Sequence, residues 1–185
     1  DWNSPEILNL EEAERLIRVA FKHPELDLCA AVTLGLYCGL RTEEIKQMWW
    51  EWIHLGDDGR EAQVTISREI AKKRRLRTVP IPENAIEWFL RCPCRTGAVT
   101  KSEFENDYQR RFQKLLHLAD FGDFEKGRWV SRWKRNAMRH SYGSYHYALE
   151  NDPIRTSVNM GHKTGDDILF EHYRSLVAGV IDDLA

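Results

Sequence analysis

Two arginines, a histidine and a tyrosine follow one another along the sequence in an order that suits chemistry on a phosphodiester. Arg41 comes directly after Cys-Gly-Leu, and Arg139, His162 and Tyr173 follow in the second half of the chain. A guanidinium stays charged near neutral pH and binds phosphate oxygens through a planar fork of donors. A tyrosine oxygen can attack phosphorus and hold the phosphate covalently. These residue types predict phosphodiester cleavage that requires no metal ion.

Five short motifs resemble those of the tyrosine recombinase (phage integrase) family, in the family's order. They are Gly-Leu-Arg-Thr-Glu-Glu at 39–44, a basic stretch ending in Val-Pro at 72–80, Asn-Ala-Met-Arg-His at 136–140, Met-Gly-His at 160–162 and His-Tyr at 172–173. The likeness extends over residues 10–176. No single motif is specific, but five in this order and spacing would hardly coincide by chance.

The resemblance implies a role for each residue of the pattern. Arg41 and Arg139 would bind the two non-bridging oxygens of the scissile phosphate, and His162 would donate a hydrogen bond to one of them. Tyr173 would be the nucleophile, activated by its cationic neighbours. The alternatives are ordinary structural roles: a surface salt bridge for either arginine, a loop position for His162 and core packing for Tyr173. Glu44, one turn beyond Arg41, would orient that arginine or simply favour the helix N-terminus.

A lysine near the middle of the chain completes the implied catalytic set. In the family a catalytic lysine on a β-hairpin precedes a Val-Pro strand, and counting back from Pro80 selects Lys72. It would be the general acid that protonates the leaving 5′ oxygen, because nearby guanidiniums favour loss of its proton. Lys73 is the alternative, since successive residues of a strand point to opposite faces.

Asn136 departs from the family pattern. The family usually has a histidine three residues before the second arginine, which is one turn away on a helix. An amide can donate and accept hydrogen bonds but carries no proton at pH 7. Asn136 could therefore hold a phosphate oxygen or orient Tyr173, but it cannot act as a general base. The pattern leaves open which group accepts the tyrosine proton.

Charge is unevenly distributed along a chain whose formal net charge is −2. Basic residues are concentrated in residues 68–77 and 128–139, next to the proposed catalytic residues. A polarised surface can bind phosphates although the net charge is near zero. An arbitrary basic run is more often a solvated face, so proximity to the motifs carries the argument. The residues predicted to contact DNA are Lys73, Arg74, Arg75, Arg132, Lys134 and Arg135.

Length and composition fit one globular domain over residues 1–185. The chain contains 42% hydrophobic and 30% charged residues, and it begins at Asp1 without a signal-peptide pattern. Cys29 and Cys38 lie in an apolar helical pattern and should be buried thiols. We expect a reduced, cytoplasmic protein without metal or cofactor. The separate N-terminal DNA-binding domain that the family usually carries is expected to be absent.

Hydrophobic periodicity and turn residues predict a mainly α fold with a small antiparallel β-sheet (α+β). A basic connection should join strands 63–67 and 77–81, while residues 122–128 are expected to form a loop. The other expected elements are helices over residues 11–21, 26–37, 42–49, 83–90, 100–118, 134–149, 153–161, 166–173 and 177–184. Gly39 should end the second of these, which places Arg41 at a junction between helices.

The combined reading is a site-specific recombinase that acts on double-stranded DNA. Tyr173 would form a 3′-phosphotyrosyl bond and release a 5′-hydroxyl, and a second strand's 5′-hydroxyl would reverse the step without ATP. The resemblance implies a homotetramer on two DNA sites. Two alternatives share the scaffold: a DNA-binding relative with weakened catalysis, marked by Asn136, and an enzyme that relaxes DNA like a type IB topoisomerase.

Overall fold

The protein is described here by a computed structural model that covers residues 7–56, 59–71, 75–101 and 107–162. Within these residues the helices are α1 (Leu10–Lys22), α2 (Cys29–Cys38), α3 (Thr42–Lys46), α4 (Glu83–Leu90), α5 (Asp107–Leu118), α6 (Ala137–Glu150) and α7 (Pro153–Asn159). The strands are β1 (Ile53–His54), β2 (Gln63–Ile66), β3 (Arg77–Pro80), β4 (Gly122–Glu125) and β5 (Arg128–Ser131). The predicted class, mainly α with a small antiparallel sheet, is confirmed.

Helix α2 forms the centre of the domain, as its nearly uniform apolar sequence predicts. It packs against α1, α4 and α6. It begins at Cys29 rather than residue 26, because a short 3₁₀ turn, Pro24–Leu26, ends at Asp27 in the left-handed region. Cys29 and Cys38 are buried free thiols, as expected. Gly39 ends the helix with φ of 63°, and the Tyr142 ring occupies the space that a side chain would need.

The three-stranded sheet has the order β1-β2-β3 and is antiparallel throughout. Val64 lies opposite Val79, and both side chains are fully buried, so one face of the sheet packs on the core. The predicted strands 63–67 and 77–81 are therefore confirmed within one residue at each end. The last strand, β3, also contacts α7, and this contact brings β3 close to the Gly-His motif.

A second, two-stranded sheet replaces the loop expected at residues 122–128. Strands β4 and β5 form a hairpin in which Phe124 lies opposite Trp129. Lys126 and Gly127 connect the strands, both with positive φ (48° and 79°), which is the geometry of a tight hairpin turn. The loop prediction was wrong because these strands are short and polar, so their sequences lack the apolar alternation typical of a strand.

Helix α6 begins later than predicted. The expected start was residue 134, but Asn136 adopts a left-handed conformation (φ 61°) as the N-cap of a helix that starts at Ala137. Asparagine tolerates this conformation better than most residues. In α7, Asp152 caps the helix and Pro153 is its first residue, as expected. The helices expected at 166–173 and 177–184 lie outside the described residues, as do residues 102–106 of the helix expected at 100–118.

None of the helices within the described ranges is long and apolar enough to cross a membrane.

Candidate active site

Arg41 lies between two helices. It follows the end of α2 and is the N-cap residue of α3. Its backbone N–H donates to Glu44 Oε2 at 2.9 Å, and its side-chain Nη1 donates to Glu44 Oε1 at 3.1 Å. The side chain is 20% exposed. The spacing of one helical turn between Arg41 and Glu44 thus produces the contact that the sequence suggested.

A third residue, Arg77, completes this cluster and was not recognised in the sequence. Its Nη1 and Nη2 donate to the two oxygens of Glu44 at 3.0 and 2.8 Å, which is a bidentate pair. Its Nε donates to the backbone carbonyl of Asn159 at 3.1 Å. The Arg77 side chain is only 9% exposed. We refer to Arg41, Glu44 and Arg77 as the arginine–glutamate cluster.

Glu44 stays ionised in this cluster. Burial alone would raise the pKa of its carboxyl group, because an apolar environment disfavours charge. The hydrogen bonds and charge of Arg77, followed by those of Arg41, outweigh burial and lower the pKa. The carboxylate accepts four hydrogen bonds, so both oxygens are fully used. The cluster therefore holds two guanidiniums against one carboxylate and keeps one positive charge.

Arg139 is bound by different partners. It projects from the first turn of α6 and is 4% exposed. Its Nη1 donates to the carbonyl of Gly39 at 2.5 Å, and its Nη2 donates to the carbonyl of Met160. The same Nη2 lies 2.8 Å from His162 Nε2. Arg139 thus joins the end of α2 to the turn after α7. We refer to this arrangement as the arginine–histidine junction.

The contact with Arg139 determines which ring nitrogen of His162 accepts a hydrogen bond. A guanidinium has only donors, so Nε2 of the imidazole must accept in this contact. The proton of a neutral ring then lies on Nδ1, the other nitrogen. Any hydrogen bond from His162 to a phosphate oxygen would come from Nδ1 in this arrangement. The residue itself is held by its backbone N–H, which donates to the carbonyl of Ser157 at 2.9 Å.

Arg77 and Arg139 meet at the C-terminal end of α7. They bind the successive carbonyls of Asn159 and Met160. Gly161 follows with φ of 65°, and a Cβ there would lie 3.1 Å from three atoms of Arg77. The glycine of the Gly-His motif is therefore required both for its conformation and for space.

A neutral hydrogen-bond network supports the same turn from α6. Asn159 Nδ2 lies 3.2 Å from Tyr142 Oη and 3.2 Å from His146 Nε2. His146 Nδ1 lies 2.8 Å from the hydroxyl of Thr156, which itself donates to a backbone carbonyl. Since that hydroxyl's proton is used, His146 donates from Nδ1 and accepts at Nε2. Burial lowers the pKa of His146 and favours this neutral form.

The structure describes some of the other predicted site residues, and the rest lie outside the described ranges. Asn136 lies one turn before Arg139 and makes no side-chain capping hydrogen bond. Arg75, Lys134 and Arg135 are exposed. Arg132 is exposed too, and it pairs with Asp123 at 3.2 Å across the β4–β5 hairpin. Lys72, Lys73, Arg74 and Tyr173 lie outside the described residues.

The alternation of inward and outward side chains along β3 could have identified Arg77 as an inward-facing arginine. Residues 77 and 79 point to the same face of the strand, and Val79 is fully buried. A charged residue on the inward face of a strand needs an internal partner. The sequence therefore places a guanidinium inside the domain, although it does not name Glu44 as the partner.

The chain resembles recombinases and integrases of known structure. The XerA recombinase matches with a TM-score of 0.66 at 16% identity, over 98% of this chain and 65% of that one. The catalytic domain of bacteriophage HP1 integrase matches with 0.60 at 16% identity, over 95% of this chain and 88% of that domain. A Tn1549 transposon integrase bound to transposon right-end DNA matches with 0.64 at 16% identity, over the whole chain and 68% of its own.

Sequence comparison gives one short match. Prophage integrase IntZ of Escherichia coli (strain K12) is 39% identical over 57 residues, which are 31% of this chain and 13% of that protein. No protein-family model matches the sequence. The chain thus spans a small part of this relative's length and somewhat under two thirds of XerA.

These structural neighbours are tyrosine recombinases and integrases, and the domain has the fold of their catalytic domains. The resemblance seen in the sequence motifs is therefore confirmed by the fold.

Proposed function

We propose that this chain is the catalytic domain of a site-specific DNA recombinase that cleaves and rejoins strands through a tyrosine. The observation that carries the proposal is the linkage of Arg41, Arg139 and His162. Arg139 contacts His162, and Arg77 connects the carboxylate that holds Arg41 to the end of α7. These residues are far apart in the sequence, yet the Gly39–Arg41 segment and the Gly-His turn are both bound by Arg139. A purely structural role would not require arginines from three separate elements at one place.

The charge of the site suits a phosphodiester. Arg41, Arg77 and Arg139 bring three guanidiniums together with the carboxylate of Glu44 and the imidazole of His162. Arg41 uses Nη1 for Glu44, and within the described residues its Nε and Nη2 have no hydrogen-bond partner. These two donors could bind non-bridging oxygens, where donors placed in advance stabilise developing charge by roughly 3–4 kcal/mol each.

The proposed reaction exchanges one phosphate ester for another. Tyr173 loses its phenol proton to solvent and its oxygen attacks the scissile phosphorus, the bond to the 5′ oxygen breaks, and Lys72 gives its proton to that leaving oxygen. His162 donates from Nδ1 to a non-bridging oxygen while Arg139 holds its ring. Asn136 cannot accept the tyrosine proton and is assigned a hydrogen-bonding role. Attack by another strand's 5′-hydroxyl then restores a DNA phosphodiester and frees the tyrosine.

The proposed partners follow from the same reaction. Double-stranded DNA is the substrate, and the exposed residues Arg75, Lys134 and Arg135 would contact its phosphates together with Lys73 and Arg74. A homotetramer on two DNA sites would exchange the strands. The neighbouring Tn1549 integrase structure contains transposon right-end DNA, which supports DNA as the ligand of this chain too. Residues 1–185 would form a single catalytic domain.

Covalent trapping tests the proposal. The chain is incubated with a pool of nicked duplexes that lose a short fragment when cleaved, and adducts are sought on a denaturing gel. We expect an adduct with the unaltered chain and with Tyr147→Phe, a substitution in another tyrosine. Tyr173→Phe should give none, because it lacks the attacking oxygen.

Other outcomes would redirect the assignment. DNA binding without any adduct would favour the DNA-binding relative in which Asn136 marks lost catalysis. An adduct accompanied by relaxation of supercoiled plasmid, without joining of two DNA sites, would favour the topoisomerase reading.

A further inference from the structure

We infer that Arg77 is a positioning residue for the phosphate-binding groups, a role that rests on the proposed function. It contacts the carboxylate that holds Arg41 and the turn that carries His162. These two contacts are made by one guanidinium on β3, 33 residues away from Glu44 and 82 residues away from Asn159 in sequence. Arg77 thereby joins the two halves of the site.

Arg41 and Arg77 compete for the carboxylate of Glu44. A carboxylate and a guanidinium left alone tend to form a bidentate pair. Here Arg77 takes that arrangement, with Nη1 and Nη2 on the two oxygens, and Arg41 is limited to a single side-chain bond through Nη1. Without Arg77, the buried carboxylate would draw Arg41 into a bidentate pair of its own. Arg41 would then lose a donor that the phosphate needs.

Arg77 also holds the turn before His162. Arg77 Nε binds the carbonyl of Asn159, and its side chain lies against Gly161, where no Cβ is present to displace it. Arg139 binds the next carbonyl, that of Met160, and also contacts His162. The position of the imidazole therefore depends on both guanidiniums. Lysine could not replace Arg77, since an ammonium lacks the planar fork and the Nε donor.

Arg77 itself does not reach the substrate. All three of its nitrogens have protein partners, and the side chain is 9% exposed, against 20% for Arg41. Its effect on cleavage must therefore pass through Arg41 and His162. Arg77 therefore differs from a residue that binds phosphate directly. The effect of its substitution on cleavage can be distinguished by comparing rate constants on two substrates.

The test compares two scissile groups in the nicked duplexes that trap the unaltered chain. One is the ordinary phosphodiester, and the other is a methylphosphonate, which lacks one negatively charged oxygen. Loss of a group that binds that charge should matter less on the neutral substrate. Cleavage rate constants at saturating enzyme are measured for the unaltered chain, Arg77→Met, Arg77→Lys and Arg41→Ala. Arg18→Met, an exposed arginine on α1, is the control and should cleave normally.

We expect both Arg77 variants to cleave the phosphodiester about 10- to 100-fold more slowly, the range for residues that orient a catalytic group. On the methylphosphonate this deficit should shrink, in parallel with that of Arg41→Ala. An equal deficit on both substrates, or none, would overturn the role of Arg77 while leaving the recombinase proposal intact. If the unaltered chain forms no adduct on any duplex, the proposed function itself fails. Arg77→Lys keeps the buried positive charge, so it serves if Arg77→Met does not fold.

Discussion

The two arginines of the site are held in different ways. Arg41 belongs to the arginine–glutamate cluster, where a buried carboxylate binds two guanidiniums. Arg139 belongs to the arginine–histidine junction, where its partners are two backbone carbonyls and an imidazole. Arg41 is 20% exposed and keeps donors that are not used by the protein, whereas Arg139 is 4% exposed. The two residues occupy equivalent roles in the family pattern but not in this structure.

The partner of Arg41 orients its side chain, whereas the contacts of Arg139 support the backbone around it. Glu44 supplies a countercharge that holds Arg41 at the edge of the site without using all of its donors. The carbonyls of Gly39 and Met160 are neutral acceptors, and through them Arg139 joins the end of α2 to the turn after α7. Removing a partner from the first region should leave unbalanced charge, and removing one from the second should leave unpaired polar groups. These two defects have different sizes and different dependence on pH.

The largest effect on stability is expected from Glu44→Gln. This change leaves two buried guanidiniums without a countercharge, and losing one partner of a buried ion pair costs about 3–5 kcal/mol. Urea unfolding at pH 7 should show this loss in the free energy of unfolding. Glu43→Gln is the matched control, because Glu43 is the neighbouring residue, has a 73% exposed side chain and pairs with Lys46 on the surface. Equal losses for the two variants would show that the cluster contributes no more than a surface pair.

The same pair of variants has a defined pH dependence. The folded pKa of Glu44 is lowered from 4.5, so its stabilisation is complete above the unfolded pKa and is lost as pH falls through the folded value. The difference between the unaltered chain and Glu44→Gln should therefore stay constant from pH 7 to about 5 and shrink in stronger acid.

A smaller loss is expected from Arg139→Met. The substitution keeps much of the side-chain volume but leaves the carbonyls of Gly39 and Met160 without this donor. Each buried polar group left unpaired costs about 1–3 kcal/mol, so we expect a loss of about 2–4 kcal/mol in urea unfolding. Arg18→Met, an exposed arginine paired within one helix, should change stability by about 0.5 kcal/mol or less. A loss no greater than that of Arg18→Met would mean that Arg139 does not support the fold.

Local spacing accounts for the parts of the site that the sequence predicted. Arg41 and Glu44 are one turn apart at a helix start, so their contact follows from helix geometry. Gly39 ends α2 because it can adopt positive φ, and this places Arg41 at the junction. The helical core and the β2–β3 pairing follow from apolar periodicity. The convergence of Arg139 and His162 was expected from the family resemblance rather than from spacing.

Contacts between distant segments account for what the sequence did not predict. The pairing of Arg77 with Glu44 depends on the register of β3 and on how the sheet meets α3, and neither is encoded in local periodicity. Two differences are local exceptions, and the first is the β4–β5 hairpin, whose turn contains Lys126 at a positive φ that is uncommon for residues other than glycine. The second is the start of α6, which lies at Ala137 rather than at residue 134 because Asn136 takes a left-handed conformation that helix propensity does not predict.

The smallest expected effect concerns the neutral network behind the arginine–histidine junction. His146→Gln should remove the hydrogen bond to Thr156 and weaken the one to Asn159, at a cost of about 1 kcal/mol at pH 7.5. Burial lowers the folded pKa of His146 below 6.5, with support from Arg155 and opposition from Glu150 and Asp152. The folded state therefore binds fewer protons than the unfolded state just below pH 6.5, and stability falls there.

Urea unfolding at pH 7.5, 6.5 and 5.5 should consequently show the advantage of the unaltered chain over His146→Gln shrinking as the pH falls. A difference that stays constant or grows would mean that His146 is not held neutral by its surroundings. The expected result would show that the arginine–glutamate cluster and the neutral network respond to different ranges of pH. The charged cluster would respond to pH only in the range of carboxylate protonation, whereas the uncharged network that supports the His162 turn would respond close to neutrality. Weakening of the site at mildly acidic pH would then begin at α7 rather than at Arg41.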